Sequence, residues 1–278
     1  MSDVPVPRNR LLASRALAIV LVLLAVAIVV FGVRLVRARM AQSRTVAADS
    51  RLAAQCPDVA TDILAGASRT SVTGADGRVL GAAYVGPAGA ATGVVLRQGA
   101  SQTLCDWLPW ARDLSRATGA RVLLFDRRGR GSSPGDASVT QEPADTAAAV
   151  ARLRADGTAR VALVGSSMGN AVVYAALPGI RPAPCAVVSV SPVLSATDGT
   201  GTVDSSQPAG LIANTWLTWE SGTSGIVTEV DAVKKALADA GLPTPHELPV
   251  DTRDHSLGLV TRHPEVADFI RKAVASCA

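Results

Sequence analysis

The 278-residue sequence contains no C-x-x-C pair and no cysteine or histidine grouping at metal-ligand spacing, so no metal site is expected. It has no G-x-G-x-x-G leading into a helix and no lysine-bearing P-loop, which removes dinucleotide and nucleotide-phosphate cradles, and no cofactor is expected. No internal repeat is present. Histidine is scarce, three in all, which narrows any search for a catalytic base to His246, His255 and His263. A block of like charge is also missing: the formal net charge is +4, but many of the arginines flank one apolar run and the remaining basic residues alternate with acids. A nucleic-acid partner is therefore not expected.

What is abundant is apolar side chain, 48% against 18% charged. Part of that excess lies in Ala16–Val33, 18 residues without a charge, close to the length that crosses the hydrocarbon core of a bilayer. The sequence predicts a single transmembrane helix over residues 16–36. No small-x-small cleavage site follows it, because Arg39 stands where a small residue is needed, so the helix is expected to stay as an anchor. Arginines flank both ends almost equally. Four cysteines, Cys56, Cys105, Cys185 and Cys277, suit two disulfides in an oxidising compartment. These considerations predict a short cytoplasmic tail over 1–15, a stalk over 37–55, and one extracytoplasmic domain over 56–278.

Within that domain, residues 70–87 read as two strands around the turn dipeptide Asp76-Gly77. Short apolar strands then alternate with helices. Strands are expected within 92–101, 120–125, 159–165, 185–192, 214–220 and 246–251, and helices over 106–119, 141–157, 168–177, 229–241 and 263–278. The order predicts an α/β fold: a mainly parallel β-sheet with helices on both faces and an antiparallel edge.

The stretch "RVALVGSSMGNAVV" (160–173) runs from an apolar strand through Gly165-Ser166-Ser167-Met168-Gly169 into a helix. A strand that reverses directly into a helix strains its apex residue, and flanking glycines keep side chains from colliding there. Ser167 would project into the open beside helix N-terminal N–H groups, as the G-x-S-x-G elbow requires. Ser166 is expected to pack behind it.

Taken together, "RQGAS" (97–101), "FDRRGRGSSPG" (125–135), "GSSMG" and a late histidine resemble the α/β-hydrolase superfamily over roughly residues 60–278. The resemblance implies a serine hydrolase of esterase, lipase or peptidase type. His255, after the last strand and before the final helix, stands where the family places its base. The oxyanion donors would be the N–H groups of Met168 and Ala100, although Gln98 replaces the histidine that relatives often carry before Gly99. Relatives usually place an aspartate a few residues beyond the strand at 214–220. Thr223 or Ser224 stands there, leaving Glu220 as the preferred triad acid and Asp198 as the alternative. Asp251 and Asp254 are expected to be solvated, His263 to cap a helix, His246 to lie at the opposite sheet edge, and Asp126 to tie its loop together.

About twenty residues, 193–213, separate two strands where a large cap would be inserted, too few for one, so an open site is expected. Trp107, Trp110, Trp216 and Trp219 could line it or belong to the core. Topology favours Cys56–Cys105 and Cys185–Cys277 as pairs. The function expected is a membrane-anchored hydrolase cleaving an ester or amide of a small-molecule or acyl substrate. Two alternatives stay open: a catalytically weak binding protein of the same fold, and an acyltransferase acting on an envelope component.

Overall fold

The computed structural model describes residues 46–277, together with Leu21 and Leu24. Backbone contacts divide the chain into Met1–Arg44 and Thr45–Ala278, and the second unit carries everything discussed below. Its elements are α1 (Leu52–Gln55), α2 (Thr61–Ala65), β1 (Ala67–Thr73), β2 (Val79–Val85), β3 (Thr92–Arg97), α3 (Leu104–Thr118), β4 (Arg121–Phe125), α4 (Glu142–Ala155), β5 (Arg160–Ser166) and α5 (Met168–Ala176). There follow β6 (Ala186–Val190), β7 (Ser195–Asp198), β8 (Gly201–Asp204), β9 (Thr215–Glu220), α6 (Ser224–Asp239), β10 (His246–Val250), α7 (Leu257–Arg262) and α8 (Pro264–Ala275).

Eight strands form one sheet in the order β1-β2-β4-β3-β5-β6-β9-β10, parallel from β4 onward and antiparallel at the β1 and β2 edge. The central strands are apolar at nearly every position, and alternate residues feed two different cores. Val94, Leu96, Val122, Leu124, Ala162 and Val164 join the layer built by α3 and α8. Val95, Leu123, Phe125, Val161 and Leu163 join the layer of α4, α5 and α6. Strands buried on both faces need a helix layer on each side, and a side-chain period of two supplies both from one run.

Strand order reverses between β3 and β5, since the chain leaves β3 for one side of the sheet and returns through α4 to the other. Loops that follow the two strands must diverge there, opening a crevice at their carboxyl ends. Both the Gln98-Gly99-Ala100 loop and Ser167 lie at that point.

Two expectations about the amino end are corrected. Among the described residues no helix is long and apolar enough to cross a membrane. The longest of those described, α6, has 16 residues, about 24 Å, and carries charges along its length. The expected span over 16–36 lies, apart from Leu21 and Leu24, outside the described residues. The anchor finds no support and is withdrawn, together with the single-pass extracytoplasmic placement and the membrane as a partner. Residues 46–55, expected to finish a stalk, are instead docked on the domain: Leu52 is buried, and Gln55 Nε2–H donates to Asp126 Oδ2 at 2.6 Å.

Three elements depart from the expected order. Residues read as loop after β6 form the β7–β8 hairpin, helix α6 starts five residues earlier than its periodicity indicates, and α7 precedes the closing helix. Both disulfides are present, Cys56–Cys105 and Cys185–Cys277. The four tryptophans belong to the core: Trp107 is fully buried with Trp110 edge-on at 5.5 Å, Trp216 is covered by the His246 ring at 3.9 Å, and Trp219 is buried.

Candidate active site

Ser167 sits between the end of β5 and the start of α5 with φ 52° and ψ −129°, a conformation costly for any residue with a Cβ. The flanking glycines permit it by close approach. A Cβ on Gly165 would lie 2.6 Å from Asn170 Oδ1, and one on Gly169 would lie 2.3 Å from the Arg97 carbonyl oxygen. Asn170 Nδ2–H donates to the Ser167 carbonyl at 3.0 Å and to the Val190 carbonyl at 2.9 Å, while Ser167 N–H donates to that same Val190 oxygen at 2.9 Å. The elbow is thereby pinned to β6.

His255 lies in the loop after β10, its side chain 42% exposed. Its Nε2 is 2.7 Å from Ser167 Oγ, and its Nδ1 is 2.5 Å from Glu220 Oε1. Glu220 is the last residue of β9 and its side chain is 1% exposed. A carboxylate can only accept there, so Nδ1 carries the ring proton and Nε2 is left to accept from the serine hydroxyl. The length of the glutamate side chain lets an acid on the strand itself reach the imidazole. The second oxygen, Glu220 Oε2, accepts from Ser191 Oγ–H at 2.7 Å, and Ser191 Oγ accepts from Ser256 N–H at 2.9 Å.

The loop after β3 presses against Ser167, since a Cβ on Gly99 would lie 3.3 Å from Ser167 Cβ. Gly99 N–H is consumed by Gln102 Oε1 at 2.9 Å. The Ala100 carbonyl is held from behind by Arg127 Nη1–H at 2.8 Å, and Gln98, fully buried, donates Nε2–H to the Phe125 carbonyl at 2.8 Å. The loop is thus supported by a glutamine and an arginine. Arg127 is in turn fixed by Glu142 at 2.7 Å, which also holds the fully buried Arg97 at 2.6 Å. Burial pushes the Arg97 guanidinium below its ordinary value, with Glu142 opposing. Met168 opens α5, so its N–H has no acceptor within the helix.

The remaining candidates stand apart. Asp198 is in the β7–β8 hairpin, where Oδ2 accepts from Val139 N–H at 2.7 Å and Oδ1 from Thr200 N–H at 2.8 Å, so the alternative acid does not meet His255. Asp254 pairs with Arg262 at 2.5 Å and with His263 at 3.0 Å. Asp126 gathers Leu104 N–H, Ser132 N–H, Ser132 Oγ–H and Gln55 Nε2–H around one buried carboxyl, which burial pushes up against those bonds. It is a structural knot below the site. Among the described residues no group of acids, histidines and cysteines is arranged to hold a metal ion.

Residues 94–275, well over half of the sequence, match the alpha/beta hydrolase family. The chain belongs to that family. No curated protein matches it in sequence. Similar solved structures of this α/β-hydrolase fold include an esterase of Pyrococcus furiosus, 18% identical with a TM-score of 0.60 over 83% of this chain and 98% of the other. A thermostable esterase of Pseudomonas putida is 18% identical with a TM-score of 0.58, covering 81% of this chain and 88% of the other. A serine hydrolase of Xanthomonas campestris described as lacking a lid is 20% identical with a TM-score of 0.53, over 75% and 91%. At these identities the likeness speaks to the fold.

Sequence reading did not find Ser191, Ser256, Gln102 or Arg127. Each is an ordinary polar residue in a loop or at a strand end, and what distinguishes it is a partner distant in the chain.

Proposed function

We propose that this α/β-hydrolase is a serine esterase working through an acyl-enzyme. Ser167 attacks the carbonyl carbon of an ester while His255 Nε2 takes its proton, and Glu220 holds the imidazole in the acting tautomer and stabilises it when charged. The N–H groups of Met168 and Ala100 receive the negative charge that develops on the carbonyl oxygen. His255 then delivers the proton to the leaving alkoxide, and water, activated by the same imidazole, releases the acid. The observation that carries this reading is the continuous chain from Ser167 Oγ through His255 to Glu220 at 2.7 and 2.5 Å.

Access supports a small or end-presented acyl substrate. The hairpin between β6 and β9 is short and the His255 ring is substantially exposed, which suits substrates that present their carbonyl at a free end. A fluorophosphonate probe should label the purified chain, and Ser167→Ala should abolish both the label and turnover of p-nitrophenyl acetate. Absence of label on the folded wild-type chain would favour a binding protein that has kept the fold. Products formed with alcohols in excess over the ester distinguish hydrolysis from acyl transfer.

A further inference from the structure

Ser256, the residue after His255, is 4% exposed and holds φ 58° and ψ −123°, the same unusual backbone conformation as the nucleophile. Its backbone N–H donates to Ser191 Oγ at 2.9 Å, and that hydroxyl donates to Glu220 Oε2 at 2.7 Å. Its own hydroxyl lies 2.7 Å from Ser166 Oγ and 3.1 Å from Gln102 Oε1. An amide oxygen only accepts, so the Ser256 proton points to Gln102, and Ser166 supplies the proton between the two serines. Gln102 Oε1 takes two more donors, Gly99 N–H and Trp107 Nε1–H, both at 2.9 Å. The side chain is thereby locked on a tryptophan in the core.

One residue therefore joins four parts of the site: the histidine loop it belongs to, the acid through Ser191, the turn of the nucleophile through Ser166, and the loop bearing Ala100 through Gln102. The Gly99 N–H bond matters most, because it fixes the peptide next to the expected oxyanion donor. We infer that Ser256 is a positioning residue that keeps the oxyanion loop in register with the triad, Gln102 being its partner; this rests on the serine-hydrolase reading above. Ser256 touches no reacting atom. Its effect is on the distance between the Ala100 N–H and the oxygen that becomes charged, where displacement of an ångström costs about 100-fold in rate.

The test uses the full chain and four forms: wild type, Ser256→Gly, Gln102→Met and the double variant. Glycine removes the hydroxyl while accepting the positive φ and retaining the N–H bond to Ser191. With p-nitrophenyl acetate, each single variant should lose about 10- to 100-fold in kcat with KM within about three-fold. Affinity for an alkyl boronic acid, which forms a charged tetrahedral adduct on the serine, should fall in parallel with kcat. The double variant should be no slower than the slower single one. Should Ser256→Gly fail to fold, Ser256→Ala takes its place, since it removes the same hydroxyl and keeps the Cβ that the backbone already tolerates there. A kcat within two-fold of wild type, boronate affinity unchanged, or losses that multiply in the double variant overturns the inference while the hydrolase reading stands. A wild type that neither labels with fluorophosphonate nor turns over the ester overturns both.

Discussion

Three serines, Ser167, Ser191 and Ser256, are the non-glycine residues with positive φ among those described, and all three meet at one site. Strain of this kind costs about 1–3 kcal/mol per residue and persists only where surrounding bonds over-determine it, as they do here. Glu220 is where single-residue chemistry is most exposed to test. Glu220→Gln preserves shape but offers an N–H toward Nδ1 in place of an acceptor, favouring the wrong tautomer, and should lower kcat/KM by about 10³–10⁴-fold. Glu220→Asp should lose roughly 10- to 100-fold, since the shorter chain draws the carboxylate away from the ring. Steady-state kinetics on a small ester measure both. That Ser167, His255 and Glu220 could meet as a candidate site was legible in the sequence because glycines flank the first, the second follows the last strand, and the third ends an apolar one. Ser191 and Ser256 were not: the serine code carries no mark of a left-handed backbone, and their bonds span 65, 90 and 154 positions.

Among the elements, the central strands of the main sheet could be read because continuous apolar runs leave little else for four to eight residues to become, and the edge pair β1 and β2 because Asp76-Gly77 marks the turn between them. The β7–β8 hairpin could not. Only Ala196 and Val203 of its eight strand residues are buried, against Met168 and Ala171 of α5, and an outward Thr197–Thr202 bond at 2.9 Å joins the pair. Two inward residues are too few to make a pattern. Helix α7 was hidden for a similar reason, being a single short stretch between the histidine and Pro264. The contact of α5 with β3 is a sharper constraint than either. Gly169→Ala places a Cβ 2.3 Å from a backbone oxygen that has no rotamer to yield, so α5 must shift away from β3. The variant should lose about 2–3 kcal/mol, or roughly 5–10 °C in Tm by calorimetry, and with it the alignment of Met168 N–H.

For the whole domain, two staples and an acid-sensitive charge network set the conditions it tolerates. The disulfides close loops of 49 and 92 residues by sequence separation. In the chain-entropy account they contribute about 4 and about 4.6 kcal/mol respectively by restricting the unfolded ensemble. Reduction should lower the urea midpoint markedly, and replacing Cys185 and Cys277 by alanine should reproduce part of that loss. Asp76 is held well below the usual carboxylate range by the Arg128 guanidinium beside it. A carboxyl lowered in the folded state contributes stability that is fully present above its unfolded value, 3.8, and disappears as the pH falls through the folded one. Asp76→Asn should therefore lower Tm by a constant amount at neutral pH, with the gap to wild type narrowing steadily below 3.8. Asp126 acts in the opposite sense, because burial raises its carboxyl and ionising it opposes folding. The hairpin between β6 and β9 has one last consequence for the proposed esterase. Packed on α5 through Ala196 and Val203, and tied by Ser205 Oγ–H to the Ala171 carbonyl at 2.8 Å, it is held in place when an ester separates into droplets. Velocity should follow the dissolved concentration smoothly, with no lag at the start of a reaction and no jump once the solubility limit is passed.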